Sequence, residues 1–417
     1  MSTKYLACPE CDLFIALPVL AAGNKACCPR CHYILTASHY NALDRVMAFA
    51  ITAFVFLLLA SFFPFLSINV QGQERTITLL QSISVLVSQH FSVLAVIIFI
   101  PVILGPAIYL LLSIYLCLSL KARSLYPHSI TAMKFVSHLQ HWNMAEIFLI
   151  GILVSFIKII SLAEVTLGPS FWAYVLFIPA MSAVSVNIDK YQFWQWIKRK
   201  QGMPVFKPVL SPASGINNFN SCPMCASIMP LSSTSCGFCG THVDKRVKHS
   251  IQKTWAWLIT AVVLYIPANI LPIMKVKYLG EESSNTILGG VIVLWQHGSY
   301  PVALIIFIAS VLVPIGKILT LAWLCYSVQN GKNRFCKQKT ILYRRTELVG
   351  RWSMIDVFVV VVLVALIRMG TVMSVYPGPG VLAFCGLVIV TMLAAISFDS
   401  RLIWDHGACA EYNKENS

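Results

Sequence analysis

Hydrophobic and polar positions in this chain fall into long blocks rather than the short periods of a soluble helix or strand. Eight stretches, near 46–68, 92–120, 143–162, 170–188, 254–274, 300–327, 353–372 and 380–398, are almost wholly apolar. Each is about the 20 residues that a helix needs to cross a hydrocarbon core, so the pattern predicts eight transmembrane helices. Residues 76–90 and 286–297 fit neither class, being too polar to cross and too apolar for simple loop. Each is expected to form an outer-side helix, either lying at the membrane interface or capping the bundle.

Composition agrees with the pattern. The 417 residues are 58% hydrophobic and 11% charged, whereas soluble domains carry about 25% charge. A soluble globular protein, a disordered chain, a collagen-like chain and a secreted disulfide mini-protein are all excluded. The net charge of +15 would in a soluble protein suggest nucleic acid, but its placement gives another reading. With the N-terminus taken as cytoplasmic, 25 of the 31 Lys and Arg fall on that side, and Arg75, Lys275 and Lys277 fall on the other. Leaving out the long central loop still gives 16 against 3, and cytoplasmic loops carry the excess of Lys and Arg. Both termini are therefore expected to be cytoplasmic, with the charge serving topology and headgroup contact rather than nucleic acid. The chain opens with polar residues, so no cleavable signal peptide is expected and the first span serves as the insertion signal.

The chain also matches itself. Phe63-Pro64-Phe65-Leu66 aligns with Leu271-Pro272-Ile273-Met274, Thr78 with Thr286 and Pro106 with Pro314, all at an offset of 208. Trp142-Asn143-Met144-Ala145-Glu146 aligns with Trp352-Ser353-Met354-Ile355-Asp356, Lys158 with Arg368, Asp189 with Asp399 and Trp194 with Trp404, all at 210. Four spans per half give both halves the same orientation, a parallel repeat. The expected organisation is an N-terminal ribbon at 1–40, a four-span repeat at 41–198, a linker at 199–221, a second ribbon at 222–249, a second four-span repeat at 250–405 and a tail at 406–417.

The ribbons are read from cysteine spacing. Cys8-Pro9-Glu10-Cys11 is followed after sixteen residues by Cys28-Pro29-Arg30-Cys31, and Cys222-Pro223-Met224-Cys225 after ten by Cys236-Gly237-Phe238-Cys239. Two such knuckles deliver four thiolates tetrahedrally to a d¹⁰ ion, which leaves no open position and makes the site structural. Two zinc ions are expected, with iron in a rubredoxin-like site and thiol redox chemistry as the alternatives. Cytoplasmic placement disfavours disulfides, and modules this small draw their stability from the metal. Cys27 could in principle replace Cys28, although the Cys-Pro-x-Cys knuckle favours the latter. Cys117, Cys325 and Cys385 lie in spans and are expected only to pack.

Ionisable residues inside the spans are costly and need partners. Lys317 lies ten residues from the cytoplasmic end of span six, roughly 15 Å deep. Asp356 in span seven is the expected partner, and Ser353 and Thr391 could join the same network. Such a network is either a tie between helices or a proton relay. The first half has Glu146 at the position of Asp356 but Tyr109 at that of Lys317, so any chemistry belongs to the second half. Lys158 and Arg368, near outer span ends, are expected to snorkel. Pro64, Pro101, Pro106, Pro267, Pro272 and Pro314 are expected to kink or interrupt helices, and Trp142, Trp194, Trp352 and Trp404 to anchor at the interface. The chain lacks a phosphate-binding Gly-x-x-x-x-Gly-Lys-Ser/Thr loop, a Gly-x-Ser-x-Gly elbow and a His-Glu-x-x-His helix, so it is expected not to be an enzyme.

Taken together, the paired four-Cys motifs, Pro-Ala-Asn-Ile-Leu-Pro-Ile-Met at 267–274, Gly-Arg-Trp-Ser-Met-Ile-Asp-Val-Phe at 350–358 and Phe398-Asp399-Ser400-Arg401 resemble the paraquat-inducible protein A family over nearly the whole chain. The resemblance implies a bacterial inner-membrane protein that works with a periplasmic tunnel partner of the MCE class in moving phospholipid toward the outer membrane. It also carries the family's polar network onto Lys317, Ser353, Asp356 and Thr391. A passive anchor for the tunnel and a small-molecule exporter are the alternatives.

Overall fold

The computed structural model describes residues 4–18, 20–70, 73–88, 92–140, 143–160, 164–202, 219–278, 281–296, 298, 300–331, 335–366, 368–369 and 373–405. Most of the expected linker (203–218), the tail (406–417) and Trp142 lie outside the described residues.

Two antiparallel hairpins open the chain, β1 (Lys4–Ala7) with β2 (Phe14–Leu17) and β3 (Lys25–Cys27) with β4 (Ile34–Ala37). Helix α1 (Ala42–Phe62) follows, then the strands β5 (Leu66–Val70) and β6 (Gln73–Ile77) and the short helix α2 (Leu79–Ser88). Helix α3 (Ser92–Phe99) runs through a π-helical stretch at Ile100–Leu104 into α4 (Gly105–Lys121). After these come α5 (Ser129–Leu139), α6 (Ala145–Ile160), β7 (Glu164–Leu167), α7 (Pro169–Asn187) and α8 (Lys190–Lys200).

The order then recurs. A small hairpin of β8 (Phe219–Ser221) and β9 (Ile228–Pro230) precedes α9 (Ser250–Ile270), β10 (Met274–Tyr278), β11 (Glu281–Asn285) and α10 (Ile287–Gln296). Helix α11 (Tyr300–Phe307) passes through a second π-helical stretch at Ile308–Leu312 into α12 (Val313–Gln329). Next are α13 (Cys336–Gly350), a 3₁₀ turn at Arg351–Met354, α14 (Ile355–Leu366), β12 (Arg368–Met369), β13 (Met373–Pro377), α15 (Pro379–Ser397) and a 3₁₀ turn at Ser400–Trp404.

Among the described residues, five helices are long and apolar enough to cross a membrane: Ala42–Phe62, Ser92–Lys121, Pro169–Asn187, Ala303–Gln329 and Gly380–Ser397. The apolar runs at 46–68 and 254–274 overstate their helices, because their C-terminal ends turn into strands. Phe63 and Leu271 are extended, and each precedes a proline, whose ring disfavours helix at the residue before it. Pro64 and Pro272 therefore end these helices rather than kink them. Likewise the run at 143–162 gives a helix of 16 residues and that at 353–372 one of 12. Arg368 sits in a strand instead of a span; its side chain and that of Lys158 lie outside the described residues.

These ends enter two small antiparallel sheets, β6-β5-β7 and β11-β10-β13-β12. Of the outer-side segments at 76–90 and 286–297, the parts 79–88 and 287–296 are helical. Gly168 and Gly378 close the sheets onto the first helix of each half: a Cβ there would lie 2.2 Å from the Pro64 carbonyl oxygen and 2.1 Å from that of Pro272, so no side chain fits.

Helix α1 packs on α7 and α4, and α9 on α15 and α12. The two sets meet along α6 and α14, where Phe148 meets Phe358 edge to face at 5.3 Å and Ser155 Oγ donates to the Val359 carbonyl at 3.3 Å.

Candidate functional site

The eight cysteines read as ligands form two clusters, Cys8, Cys11, Cys28 and Cys31, and Cys222, Cys225, Cys236 and Cys239. Within each, the sulfurs all lie within 4.8 Å of one another and are buried. Each knuckle is built alike. The residue after its second cysteine, Asp12, His32, Ala226 or Gly240, is left-handed, and its N–H returns to the carbonyl of the first cysteine at 2.7–2.9 Å. The sulfur pairs Cys8–Cys31 and Cys222–Cys239 stand 3.5 Å apart, Cys11–Cys28 and Cys225–Cys236 3.6 Å. A tetrahedron of zinc–sulfur bonds has an edge of roughly 3.8 Å, so the donor sets fit a metal ion. Hydrogen bonds from Cys11 pull Cys28 and Cys31 below the ordinary thiol range, Cys31 to about 6, and Cys222 does the same for Cys239. Neighbouring thiols and burial push Cys8, Cys11, Cys222 and Cys225 the other way, so each cluster shares its protons among close sulfurs. Cys27 is exposed and outside the cluster, whereas Cys28 is within it.

Each ribbon reaches the opposite half, and the two ribbons meet through Asp12 and Arg246. Ribbon one lays Arg30 over the Trp404 ring at 4.0 Å, accepts from Ser400 Oγ at the Glu10 carbonyl and pairs Asp12 with Arg246 at 2.6 Å. Arg246 also grips Asp405 with two nitrogens at 2.8 and 2.7 Å. Ribbon two sets Phe238 edge-on to Trp194 at 5.8 Å, and Lys198 donates to the Cys225 carbonyl at 3.2 Å. Trp194 and Trp404 are thus buried, contrary to the expectation that they anchor in headgroups. Their indoles are consumed by ribbon docking. Trp352 is half-exposed.

Within the apolar part of the second half, Lys317 is 2% exposed and its Nζ donates to Thr391 Oγ1 at 3.0 Å. Thr391 in turn donates to the Val388 carbonyl, and buried Ser353 donates to the Gly350 carbonyl at 2.9 Å. Gly350, the last residue of α13, lies against the lysine: a Cβ on it would meet Lys317 Nζ at 2.7 Å. Three of the four expected network residues are therefore placed by α12, the 3₁₀ turn at 351–354 and α15. The fourth, Asp356, is the second residue of α14, and its side chain lies outside the described residues.

Two buried or closely packed residues of the second half escaped the sequence reading. Gly350 is one, and the repeat puts Gln140 in its place. Ser310 is the other: it is buried within the π-helical stretch that leads into α12 and donates to the Ile306 carbonyl at 2.6 Å. Val102 occupies the matching position of the first half, also in a π-helical stretch. Comparing the halves position by position would have found both. The first half is different in kind, with Tyr109 buried and Glu146 exposed and accepting from Ser182 at 2.6 Å.

Comparison with known proteins gives the following. The model of the family described as Paraquat-inducible protein A matches residues 43–198 and 251–407. Intermembrane transport protein PqiA of Escherichia coli K12 is 40% identical over 415 residues, 99% of this chain and 98% of that one. Lipophilic envelope-spanning tunnel protein A of the same organism is 29% identical over 96% of this chain and 91% of that one. A probable intermembrane transport protein of Haemophilus influenzae is 28% identical over 96% of each. No solved structure matches.

Proposed function

Since the chain belongs to the paraquat-inducible protein A family, we propose that it is the inner-membrane component of a lipid transport system. In this reading it passes phospholipid between the inner membrane and an MCE-domain tunnel in the periplasm. Two tandem four-span repeats lie in the membrane with both termini cytoplasmic, and each ribbon holds one structural zinc ion. The printed names of relatives, which speak of intermembrane transport and of a lipophilic envelope-spanning tunnel, support the class. The recurring order of elements supports the repeat.

The observation that carries a working rather than a merely anchoring role is the buried Lys317. An ammonium at this depth costs about 3 kcal/mol or more, and a tie between helices does not need it, since the first half is built with Tyr109 instead. The second half holds it against Thr391 and Gly350, with Asp356 one helical turn after Ser353. We read the cluster as the place where a proton is taken up and released as lipid passes.

Asp356→Asn and Lys317→Ala, expressed at normal level and still bound to the tunnel partner, should abolish envelope function. Intact function in both would instead make the protein a passive anchor. Lipid mass spectrometry on the co-purified complex identifies the cargo, and metal analysis should return two zinc equivalents per chain. Fewer would contradict the eight-ligand assignment.

A further inference from the structure

Helix α13 touches the first cysteine cluster on one side and the buried lysine at its end. Arg344 Nη2 donates to Cys31 Sγ at 3.3 Å, its guanidinium faces the Tyr33 ring at 5.0 Å, and its Nε stands 4.0 Å from the Glu10 carboxylate. Six residues on, about 9 Å along the axis, the same helix ends at Gly350 against the Lys317 ammonium. Just before Arg344 the helix is pinned twice. Tyr343 Oη donates to the Ala395 carbonyl at 2.9 Å, and Thr340 Oγ1 accepts from Trp404 Nε1 at 3.0 Å. Trp404 is itself covered by Arg30 of the ribbon. Helix α13 therefore joins a cluster sulfur, met by Arg344, to the polar site, met by Gly350.

The first half is built otherwise. Lys134 and Gln140 stand where Arg344 and Gly350 do, and the second ribbon is reached from α8, through Lys198 and a backbone carbonyl. The link is thus confined, among the described residues, to the half whose interior is polar. Its strength depends on the state of the cluster. Four thiolates around a divalent ion keep a net negative charge, so a guanidinium donating to one of their sulfurs makes a charge-assisted bond, roughly twice as strong as one to a neutral thiol.

We propose that metal in the first ribbon clamps α13 through Arg344, and that α13 in turn fixes, through Gly350, where the Lys317 ammonium lies. Ribbon one is then a control on the membrane site, whereas ribbon two is a structural prop. This rests on ribbon one holding a metal ion and not on what is transported.

The test is hydrogen–deuterium exchange on the full chain in lipid nanodiscs, with metal content measured on the same samples. Cys8→Ser/Cys31→Ser empties ribbon one, Cys222→Ser/Cys239→Ser empties ribbon two, and Arg344→Gln cuts the link with both ions in place. Exchange across residues 336–350 should rise roughly tenfold or more in the first and third and stay at the wild-type level in the second. Unchanged protection in Arg344→Gln with both ions retained would overturn the proposal, and so would an equal rise in the two ribbon variants. Wild-type protein holding metal in ribbon two alone would instead remove its premise, an outcome that the metal analysis reports separately.

Discussion

Gly350→Ala gives a sharp test of how the buried lysine is held. The added methyl would lie 2.7 Å from both Cε and Nζ of Lys317 and 3.1 Å from Cδ, whereas carbon contacts are comfortable at about 3.5–4.0 Å. The end of the lysine must therefore move by about 1 Å. Its 3.0 Å bond to Thr391 does not survive a shift of that size, since a contact near 3.6 Å is no longer a hydrogen bond. Overpacking of this kind costs about 1–3 kcal/mol, and the better helix propensity of alanine returns at most about 1 kcal/mol at the end of α13. The net expectation is a loss of about 1–2 kcal/mol in the thermal stability of the solubilised protein, together with loss of envelope function at normal expression. The decisive measurement is the double variant. In a Lys317→Ala background the clash has no partner, so Gly350→Ala should become neutral or slightly stabilising, a coupling that a double-mutant cycle reads directly. Equal damage from Gly350→Ala with and without the lysine would show that the contact is not the cause.

Two further expectations concern the ribbons and the chain end after α15. Arg246 is four-fifths buried while it holds Asp12 of ribbon one and Asp405 beyond the last span. Arg246→Ala should cost about 1–2 kcal/mol once solvent screening is allowed for and should hasten limited proteolysis of the first 40 residues; unchanged proteolysis would mean that ribbon one is held without it. Burial would raise the Asp399 carboxyl, but hydrogen bonds from Arg401 and from the backbone amides of Val247 and Arg401 outweigh it and hold the group below its usual 3.8. A carboxylate depressed by folding stabilises above about pH 4 and loses that contribution as pH falls through the folded value. Asp399→Asn should therefore melt lower than wild type at pH 7, with the gap closing below about pH 4, and a gap that persists in acid would refute the assignment. Metal loss in acid affects both proteins alike.

What the sequence disclosed follows from which forces act locally. Apolar runs report burial in lipid or protein but not backbone state, so their middles were legible and their ends were not. The strands at 66–70 and 274–278 alternate apolar residues with Ser67 and Asn69 or Lys275 and Lys277, and Pro64 and Pro272 mark the change. Cysteine spacing is a local constraint of knuckle geometry, and all eight positions cluster as the spacing requires. The tryptophans misled because an indole at a membrane boundary and an indole under a docked domain have the same local sequence. The difference lies in Arg30 and Phe238, which are distant in the chain from the rings that they cover.

The repeat carried more than its offsets first suggested. Asp189 and Asp399 are equivalent at 210, and they do matching work. Asp189 caps α8 through the Gln192 N–H while accepting from the Ala37 N–H at 2.7 Å, and Asp399 caps the last 3₁₀ turn while accepting from the Val247 N–H at 3.2 Å. Each ties the chain entering a half to the chain leaving it, a task that both halves share. The positions where the halves part company are of the other kind: Val102 against Ser310, Tyr109 against Lys317, Gln140 against Gly350. The last two changes are mutually dependent, since the lysine needs the space that glycine leaves at 350. Divergence of this kind separates a half that buries a tyrosine at the position from a half that buries a lysine there.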